Sequence, residues 1–337
     1  MAKVLVVGGA GYVGSGTCAY LLDQGHQVWV LDNLSTGHRE LVLNESLTVG
    51  DAGNTTLVAD LVQKQGFDCV MHFAAKSIVP ESILKPDEYY QNNVVQTRTL
   101  LETLVKEGVK NFIFSSTAAL FGDPGLKKIT EKFEIKPLSP YGTTKQQAEQ
   151  VMADMSKSHG LRAISLRYFN AAGAEPKARV GEWHENETHL IPRILANAIQ
   201  MKAVDVYGND YPTPDGTCIR DYVHITDLAS AHTSAMTRLL SKKDTSDSFE
   251  AFNLGSEQGF SVLEVIAAAE KVTGIKIQKT MKPRRSGDSS MLVADSTRAK
   301  EVLGYSHQYT NIETIISSAW TWQKKLEQIK KGGFKRA

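Results

Sequence analysis

The sequence predicts an α/β fold: a doubly wound parallel sheet followed by a smaller C-terminal α/β region. Three observations carry that expectation. Short runs rich in Val, Ile, Leu and Phe alternate with helically spaced stretches up to residue 170. The first run leads directly into a glycine-rich turn, Gly8-Gly9-Ala10-Gly11-Tyr12-Val13-Gly14. After Asn170 the texture changes to a polar stretch and then to a second, looser alternation.

Taken in order, Lys3–Val7 is continuously apolar after its first residue, as suits a parallel strand covered on both faces. A helix is expected at Gly14–Gln24, strands at Gln27–Leu31 and Leu47–Val49, and a helix at Thr55–Gln65. Cys69–Phe73 is the next strand, Tyr89–Lys106 a long helix, and Phe112–Ser115 the fifth strand. Pro140–Ser156 and Ala163–Leu166 repeat the helix–strand step, which implies right-handed crossovers. Residues 171–187 read as a loop. Beyond it, helical spacing recurs at His189–Gln200, Thr226–Leu240, Val262–Val272 and Asn311–Gln328, with strands at Val204–Tyr207, Ala251–Leu254 and Ile275–Thr280. Residues 1–170 are therefore expected to form one domain of the Rossmann type. Residues 171–330 form mainly a second region, some of whose elements return to the first. The tail, residues 330–337, is expected to fray.

Composition excludes several function classes. With 337 residues, 42% hydrophobic and 22% charged, the chain can bury an ordinary core. A formal net charge of +1 provides no long-range field to gather nucleic acid or anionic lipid, so neither is an expected partner. No run of about 18 uncharged apolar residues occurs, so no membrane span is expected. The opening MAKVLVVGGAGYVG reads as a buried strand entering a loop rather than a signal peptide. Cys18, Cys69 and Cys218 are widely spaced and form no CxxC, so neither a disulfide framework nor a metal site is expected. A reducing cytoplasm fits this usage.

The glycine turn identifies the first ligand class. Gly8, Gly11 and Gly14 let backbone approach a pyrophosphate at a helix N-terminus and let that helix pack on the strand. Such spacing is common in strand–helix turns, but here it follows an N-terminal strand, opens a helix and precedes Asp32 at the end of the second strand. A carboxylate there accepts from a ribose diol and repels a 2′-phosphate, which favours NAD over NADP. Asp32 also has a plainer reading as a strand-end turn residue beside Asn33, and Arg39 is a cation that could meet a 2′-phosphate.

The chemistry is carried by Ser139-Pro140-Tyr141-Gly142-Thr143-Thr144-Lys145. Pro140 suits a first helical turn, and Tyr141 and Lys145 at i and i+4 share one face. A phenol with an ordinary pKa near 10 is a weak base at neutral pH, and a neighbouring ammonium together with a nicotinamide cation is expected to lower it. At the end of the fifth strand, Thr117 stands where ligands of open α/β sheets bind. Its hydroxyl can bond a substrate hydroxyl and relay a proton to Tyr141; otherwise it is a strand-end cap.

These features together resemble the extended short-chain dehydrogenase/reductase family, and within it the enzymes that invert UDP-hexoses at C4. The resemblance spans nearly the whole chain through VGGAGYVGS, LDNLSTG, HFAAKSIVPESILKPDEYYQNNV, SPYGTTK, LRYFNAAGA, YGNDYPTPDGTCIRDYVH and PRRSGD. It implies reversible 4-epimerisation of UDP-glucose and UDP-galactose through a transient 4-keto sugar, with tightly bound NAD, in a cytoplasmic homodimer. By matching position it makes Tyr141 the base, Lys145 its partner and ribose ligand, and Thr117 the hydroxyl beside the sugar O4. It places NAD against Gly8, Gly11, Tyr12, Val13, Gly14, Asp32, Asn33, Leu34, Ser35, Thr36, Gly37, Asp51, Ala52, Phe73, Ala74, Ala75, Lys76, Ser77, Asn92 and Phe169, besides the three catalytic positions. The nucleotide sugar lies against Thr117, Tyr141, Asn170, His189, Leu190, Tyr207, Arg220, Arg285, Asp288 and Leu292. Arg220 and Arg285 offer forks for a diphosphate, although Arg285 alone also reads as part of a solvated basic run.

The chain departs from the pattern at Phe121 (commonly Tyr), at Ala75-Lys76-Ser77, at His189 (often Asn) and at Leu292, where an aromatic often limits sugar size. Three rivals follow. A 4,6-dehydratase needs an acid after the threonine, and Ala118-Ala119 supply none. A 4-epimerase or decarboxylase for other UDP-sugars, N-acetylated hexoses, uronates or pentoses, stays open because pocket size is not legible. A non-catalytic NAD-binding regulator has no need of both Tyr141 and Lys145.

Overall fold

A sheet of seven parallel strands, six of them from residues 1–170, organises the fold. The computed structural model describes residues 1–44, 46–241, 249–285 and 288–333. In chain order these are β1 (Lys3–Val7), α1 (Tyr12–Asp23), β2 (Gln27–Asp32), β3 (Leu47–Val49), α2 (Thr55–Gln65) and β4 (Cys69–His72). There follow α3 (Val79–Leu84), α4 (Pro86–Tyr90), a π-helical turn at Gln91–Val95, α5 (Gln96–Lys106), β5 (Asn111–Thr117), α6 (Pro140–His159) and β6 (Arg162–Tyr168). The later elements are β7 (Asn170–Ala172), α7 (Leu190–Gln200), β8 (Val204–Tyr207), β9 (Ile219–His224), α8 (Ile225–Leu240) and β10 (Phe249–Leu254). The chain continues through β11 (Gly259–Ser261), α9 (Val262–Thr273), β12 (Lys279–Lys282), β13 (Met291–Leu292), α10 (Thr297–Leu303) and α11 (Ile312–Gln328).

The large sheet runs β3-β2-β1-β4-β5-β6-β10, so strand order reverses between β1 and β4. The carboxyl ends of these strands flank the crevice where doubly wound sheets take their ligands. Successive strand residues face opposite sides. Val4 and Val6 join Met71, Ile113 and Leu228 of α8 in one core, whereas Leu5 and Val7 join Phe112, Phe114 and Leu104 of α5 in another. Helices cover both faces, so the strand runs are mainly apolar, and buried polar strand residues such as Ser116, Ser165 and Arg167 are hydrogen-bonded.

β10 lies at the edge of this sheet, paired with β6, although it comes after the sequence has left the first region. The smaller region centres on β9, which pairs with β7, β11 and β13, while β8 and β12 form a separate pair. Its core joins Ile194 and Leu195 of α7, Val265 and Ile266 of α9, and Ile315 and Ile316 of α11. Among the described residues no helix is long and apolar enough to cross a membrane.

Four expectations shift. The helix expected at Tyr89–Lys106 begins at Pro86 and is interrupted by the π turn, which inserts a residue beside the loop after β4. The strand expected at Ile275–Thr280 is β12, Lys279–Lys282, because Ile277 is consumed by the core and pairing with β8 starts only beyond it. Residues 171–187 start as strand, since β7 pairs with β9 through Ala172. β9 itself went unnoticed, its IRDYVH run carrying charges at two central positions. Of the tail, residues 334–337 lie outside the described residues.

Candidate active site

Local backbone chemistry builds the dinucleotide end. Gly8 has φ +83°, and a Cβ there would sit 2.4 Å from the Ala74 nitrogen; one on Gly14 would sit 2.2 Å from the Gly8 carbonyl oxygen. The loop therefore packs on β4 and on α1 with no room for side chains. Gly11 differs, because a Cβ there meets only the Gly8 oxygen, at 3.4 Å. It begins α1 with no capping side chain and no acid in the first turn, so the first N–H groups and their positive field are left for an anion. This uncapped, open helix start fits the pyrophosphate of NAD.

Asp32 is buried at the end of β2, and burial pushes its carboxyl above the usual range. Its oxygens accept the N–H groups of Ala10 at 2.9 Å and Leu34 at 2.8 Å, so it braces the glycine loop, and each oxygen keeps a lone pair for a ribose hydroxyl. Asn33 donates to Asp51 at 2.7 Å and accepts from Ser35 N–H at 3.0 Å. Ser35 and Thr36 are exposed, Ala52 is buried, and a Cβ on Gly37 would press Ala10 at 3.0 Å. Tyr12 and Val13 open α1; the Tyr12 hydroxyl donates to the Gly173 carbonyl at 2.6 Å, joining the glycine loop to the chain beyond β7.

The loop after β4 is clamped by the π turn. Phe73 and Ala74 donate to the Val7 carbonyl at 2.7 and 3.1 Å. Asn93, buried, accepts the Lys76 N–H and donates to the Lys76 carbonyl, each at 2.9 Å, and donates to Thr144 of α6 at 3.0 Å. Asn92 donates to Asn93 at 2.9 Å. Asn93 is thus a positioning residue that the sequence reading passed over in favour of its neighbour. Lys76 directs its ammonium to Glu88, and Ser77 is exposed.

α6 starts at Pro140, capped by Ser139, whose hydroxyl accepts the Gly142 N–H at 3.2 Å. Lys145 is buried over the Phe114 ring and donates to the Ser115 carbonyl at 2.7 Å. Burial brings its pKa down to about 7, against the pull of Glu149 one turn further along. Thr117 lies beside Tyr141 and favours its phenolate, yet burial is the larger effect and pushes the phenol up to about 12. The expected lowering is therefore absent in the protein alone. Lys145 spends its charge on a backbone carbonyl, and burial without a cation beside the phenol favours the neutral form.

The Lys145 shift has a measurable sign. Its folded value lies below its unfolded one, so between pH 7 and about 10 the unfolded chain binds more protons and unfolding free energy rises with pH. Urea midpoints across this window should climb in the wild type, and more weakly in Lys145→Met.

Glu149, which the sequence reading did not single out, lies beneath the pair. It is buried and accepts from Ser116 at 2.7 Å, Ser165 at 2.6 Å and Arg167 at 3.0 Å. The helical spacing 141, 145, 149 was the available signal. Phe121 is buried against the Arg167 guanidinium, 5.6 Å from its ring, so the missing hydroxyl is replaced by a packing contact.

Among the residues expected to face the sugar, Phe169 is buried with Ala118, Phe121 and Ala294, and Leu292 packs against them. Leu292 is paired in register with Arg220 of β9. Arg220 donates to the Ser289 carbonyl at 2.9 Å and lies 3.5 Å from Asp288. Asn170 donates to the Asp221 carbonyl at 3.0 Å, and Arg285, exposed, stacks 3.8 Å from the Tyr207 ring. His189 and Leu190 begin α7; Leu190 packs into the smaller core, but His189 turns to Glu182. Asp221, wholly buried, accepts from Ser256, Glu257 and Ala294, and ties β9 to β13.

This arrangement matches known proteins over its length. The NAD dependent epimerase/dehydratase family model matches residues 4–255. A UDP-glucose 4-epimerase of Halalkalibacterium halodurans is 45% identical over 323 residues, 96% of each chain. The crystal structure of UDP-glucose 4-epimerase from Brucella ovis in complex with NAD shares 42% identity, with a TM-score of 0.91 over 95% of this chain and 98% of that one. The Bifidobacterium longum UDP-glucose 4-epimerase in complex with NAD+ and UDP shares 35% identity, with a TM-score of 0.89 over 98% and 100%.

Proposed function

The chain belongs to the NAD-dependent epimerase/dehydratase family, and from that membership we propose that it interconverts UDP-glucose and UDP-galactose by inversion at C4. The observation that carries this reading is Tyr141, beside Thr117, on the helix whose Lys145 is buried one turn away. Residues 1–170 hold the dinucleotide in this reading, and residues 171–330 mainly hold the nucleotide sugar, with β10 and α8 returned to the first region.

NAD, when bound, supplies a reversible hydride acceptor. The uncapped start of α1, Asp32 with the 33–37 turn, Asp51 and Ala52 are the groups to hold its adenosine and pyrophosphate. Phe73 through Ser77, Asn92, Lys145 and Phe169 serve its other half. With NAD bound to accept hydride from C4, Tyr141, with Thr117 beside it, would take the proton of the sugar 4-hydroxyl. On the return of that hydride to the opposite face, Tyr141 would give the proton back to the same oxygen, so nothing would be consumed. A phenol at about 12 cannot do this unaided; a cation beside it and a protonated Lys145 both move it down. Arg220 and Arg285 meet the diphosphate while the apolar wall of Leu292, Phe121 and Phe169 leaves the hexose free to turn.

Arg220→Ala should raise KM for UDP-galactose by about 10- to 100-fold, the loss of a charge-assisted hydrogen bond, with a smaller change in kcat. Steady-state kinetics read the split. No carboxylate follows Thr117, where Ala118 and Ala119 enter a short helical turn, which speaks against dehydration. The alternative substrate is an N-acetylated UDP-hexose, favoured by the aliphatic Leu292. Incubation with UDP-galactose and UDP-N-acetylgalactosamine without added NAD, followed by NMR, tests both. Conversion of UDP-galactose is expected, conversion of both shows that Leu292 admits the larger sugar, and conversion of neither overturns the reading.

The assembly is a homodimer in this reading, and the compartment a reducing cytoplasm, in keeping with three free, buried cysteines. Val79, Ile83, Leu84, Tyr90, Val95 and Leu138 are exposed on or beside α3, α4, the π turn and the approach to α6, a face that a second copy would cover. Sedimentation should give twice 37.0 kDa, and Ile83→Asp with Leu84→Asp should return the monomer.

A further inference from the structure

Between the glycine loop and the start of α7 lies a cluster that has no part in the proton chemistry above, although the resemblance places one member, His189, against the nucleotide sugar. Glu182, His184, Glu187 and His189 each present one ligating atom, and these atoms all lie within 4.8 Å of one another. His184 Nδ1 is 3.3 Å from both Glu182 Oε1 and Glu187 Oε2, and His189 Nδ1 is in contact with the same Glu182 oxygen. We propose that these four side chains form a binding site for a divalent transition-metal ion of the zinc class.

The two His184 distances fit donors that share one cation, whereas His189 and Glu182 touch directly and would have to part to take up the ion. A charge-assisted N–H···O bond closes to about 2.7–2.9 Å, and His184 makes neither of its two contacts that short. Four donors held about 2.0–2.1 Å from one tetrahedral metal stand about 3.3 Å apart, since a tetrahedron's edge is roughly 1.6 times its centre-to-corner distance. Two imidazole nitrogens among the four donors select zinc, cobalt or nickel rather than magnesium or calcium. With neutral imidazoles the four groups carry two negative charges, which a divalent ion balances. Without the ion, two imidazolium protons fill the same role, and the measurement below separates these states.

The outer contacts hold the donors in place. Glu187 turns its other oxygen to the His189 N–H at 2.8 Å, leaving Oε2 inward. The Glu182 carbonyl accepts from Trp322 of α11 at 2.8 Å, and the His184 ring stands edge-on to Tyr12 of α1 at 6.5 Å. Such outer contacts orient metal-ligating groups. A bound ion would close the E-x-H-x-x-E-x-H segment into a clip that fixes where α7 begins. The segment contains no cysteine, so Cys-based metal spacings do not reveal it.

The test uses the full chain, stripped with a chelator and dialysed, then titrated with Zn2+. One ion per chain with micromolar or tighter affinity is expected, with the side-chain resonances of both His184 and His189 moving on binding. His184→Ala with Glu187→Gln should weaken binding at least 100-fold. Absence of binding at 100 µM Zn2+, or binding that leaves both histidine resonances unmoved, overturns the proposal, as does a folded double variant that binds as tightly as the wild type. If that variant does not fold, the wild-type stoichiometry and histidine shifts decide by themselves.

Discussion

Tyr141→Phe is expected to lower turnover of UDP-galactose by a factor on the order of 10³, the usual worth of a positioned acid–base group. The substitution removes one oxygen from a half-buried ring and leaves α6, its Ser139 cap and the Lys145–Ser115 hydrogen bond in place. NAD should therefore be retained, and its ultraviolet absorbance in the purified variant separates lost chemistry from lost cofactor. Unchanged turnover would remove Tyr141 from the mechanism and revive the reading of a binding protein without catalysis. The pH dependence adds a second check. In the protein alone the phenol stands at about 12, so a rate that rises with pH well below that value requires positive charge to have been brought beside it. A rate flat up to pH 11 would contradict the role assigned to the Lys145 charge.

Glu149→Ala is expected to cost about 3–5 kcal/mol of stability, because it strands the Arg167 guanidinium in the interior. Glu149 and Arg167 are both buried, and Ser116 and Ser165 donate to the same carboxylate. Urea unfolding measures the loss. Replacing both Glu149 and Arg167 by Met removes the charges together and should recover most of it, since well-packed apolar pairs replace buried ion pairs at little cost. If the single variant unfolds at the wild-type midpoint, the pair carries no such weight. Glu149 also favours the charged form of Lys145. In the double variant, which leaves Lys145 without that support, the pH at which activity falls on the alkaline side should shift downward as the ammonium becomes harder to keep.

Much of this was legible in one dimension, for specific physical reasons. β1, β3, α2 and β8 begin and end where the sequence places them, because each is bounded by turn residues and has an unambiguous period. The π turn was not legible, since the 89–106 stretch keeps a helical period through the extra residue and only Asn93, reaching across to Lys76 and Thr144, reveals the break. β9 was missed because Arg220 and Asp221 interrupt its apolar run. Asp221 is tolerated there only because Ser256, Glu257 and Ala294, all distant in sequence, donate to it.

The Tyr141–Lys145 spacing, the glycine turn and Asp32 are local facts, and the sequence alone determined them: a helix presents i and i+4 on one face, and a strand-to-helix turn demands glycine where a Cβ has no room. What surrounds those residues was decided only by tertiary structure. Whether a buried phenol or ammonium is charged depends on which groups the fold brings within a few ångströms. Here that meant the Ser115 carbonyl and Glu149 beside Lys145, and, among the described residues, no cation that lowers the Tyr141 phenol. The same holds for Leu292, carried from β13 to the wall that Phe169 and Phe121 form at the ends of β5 and β6. Periodicity fixes the direction of a side chain within its own element, whereas desolvation and charge pairing are sums over neighbours that meet only when the chain has folded.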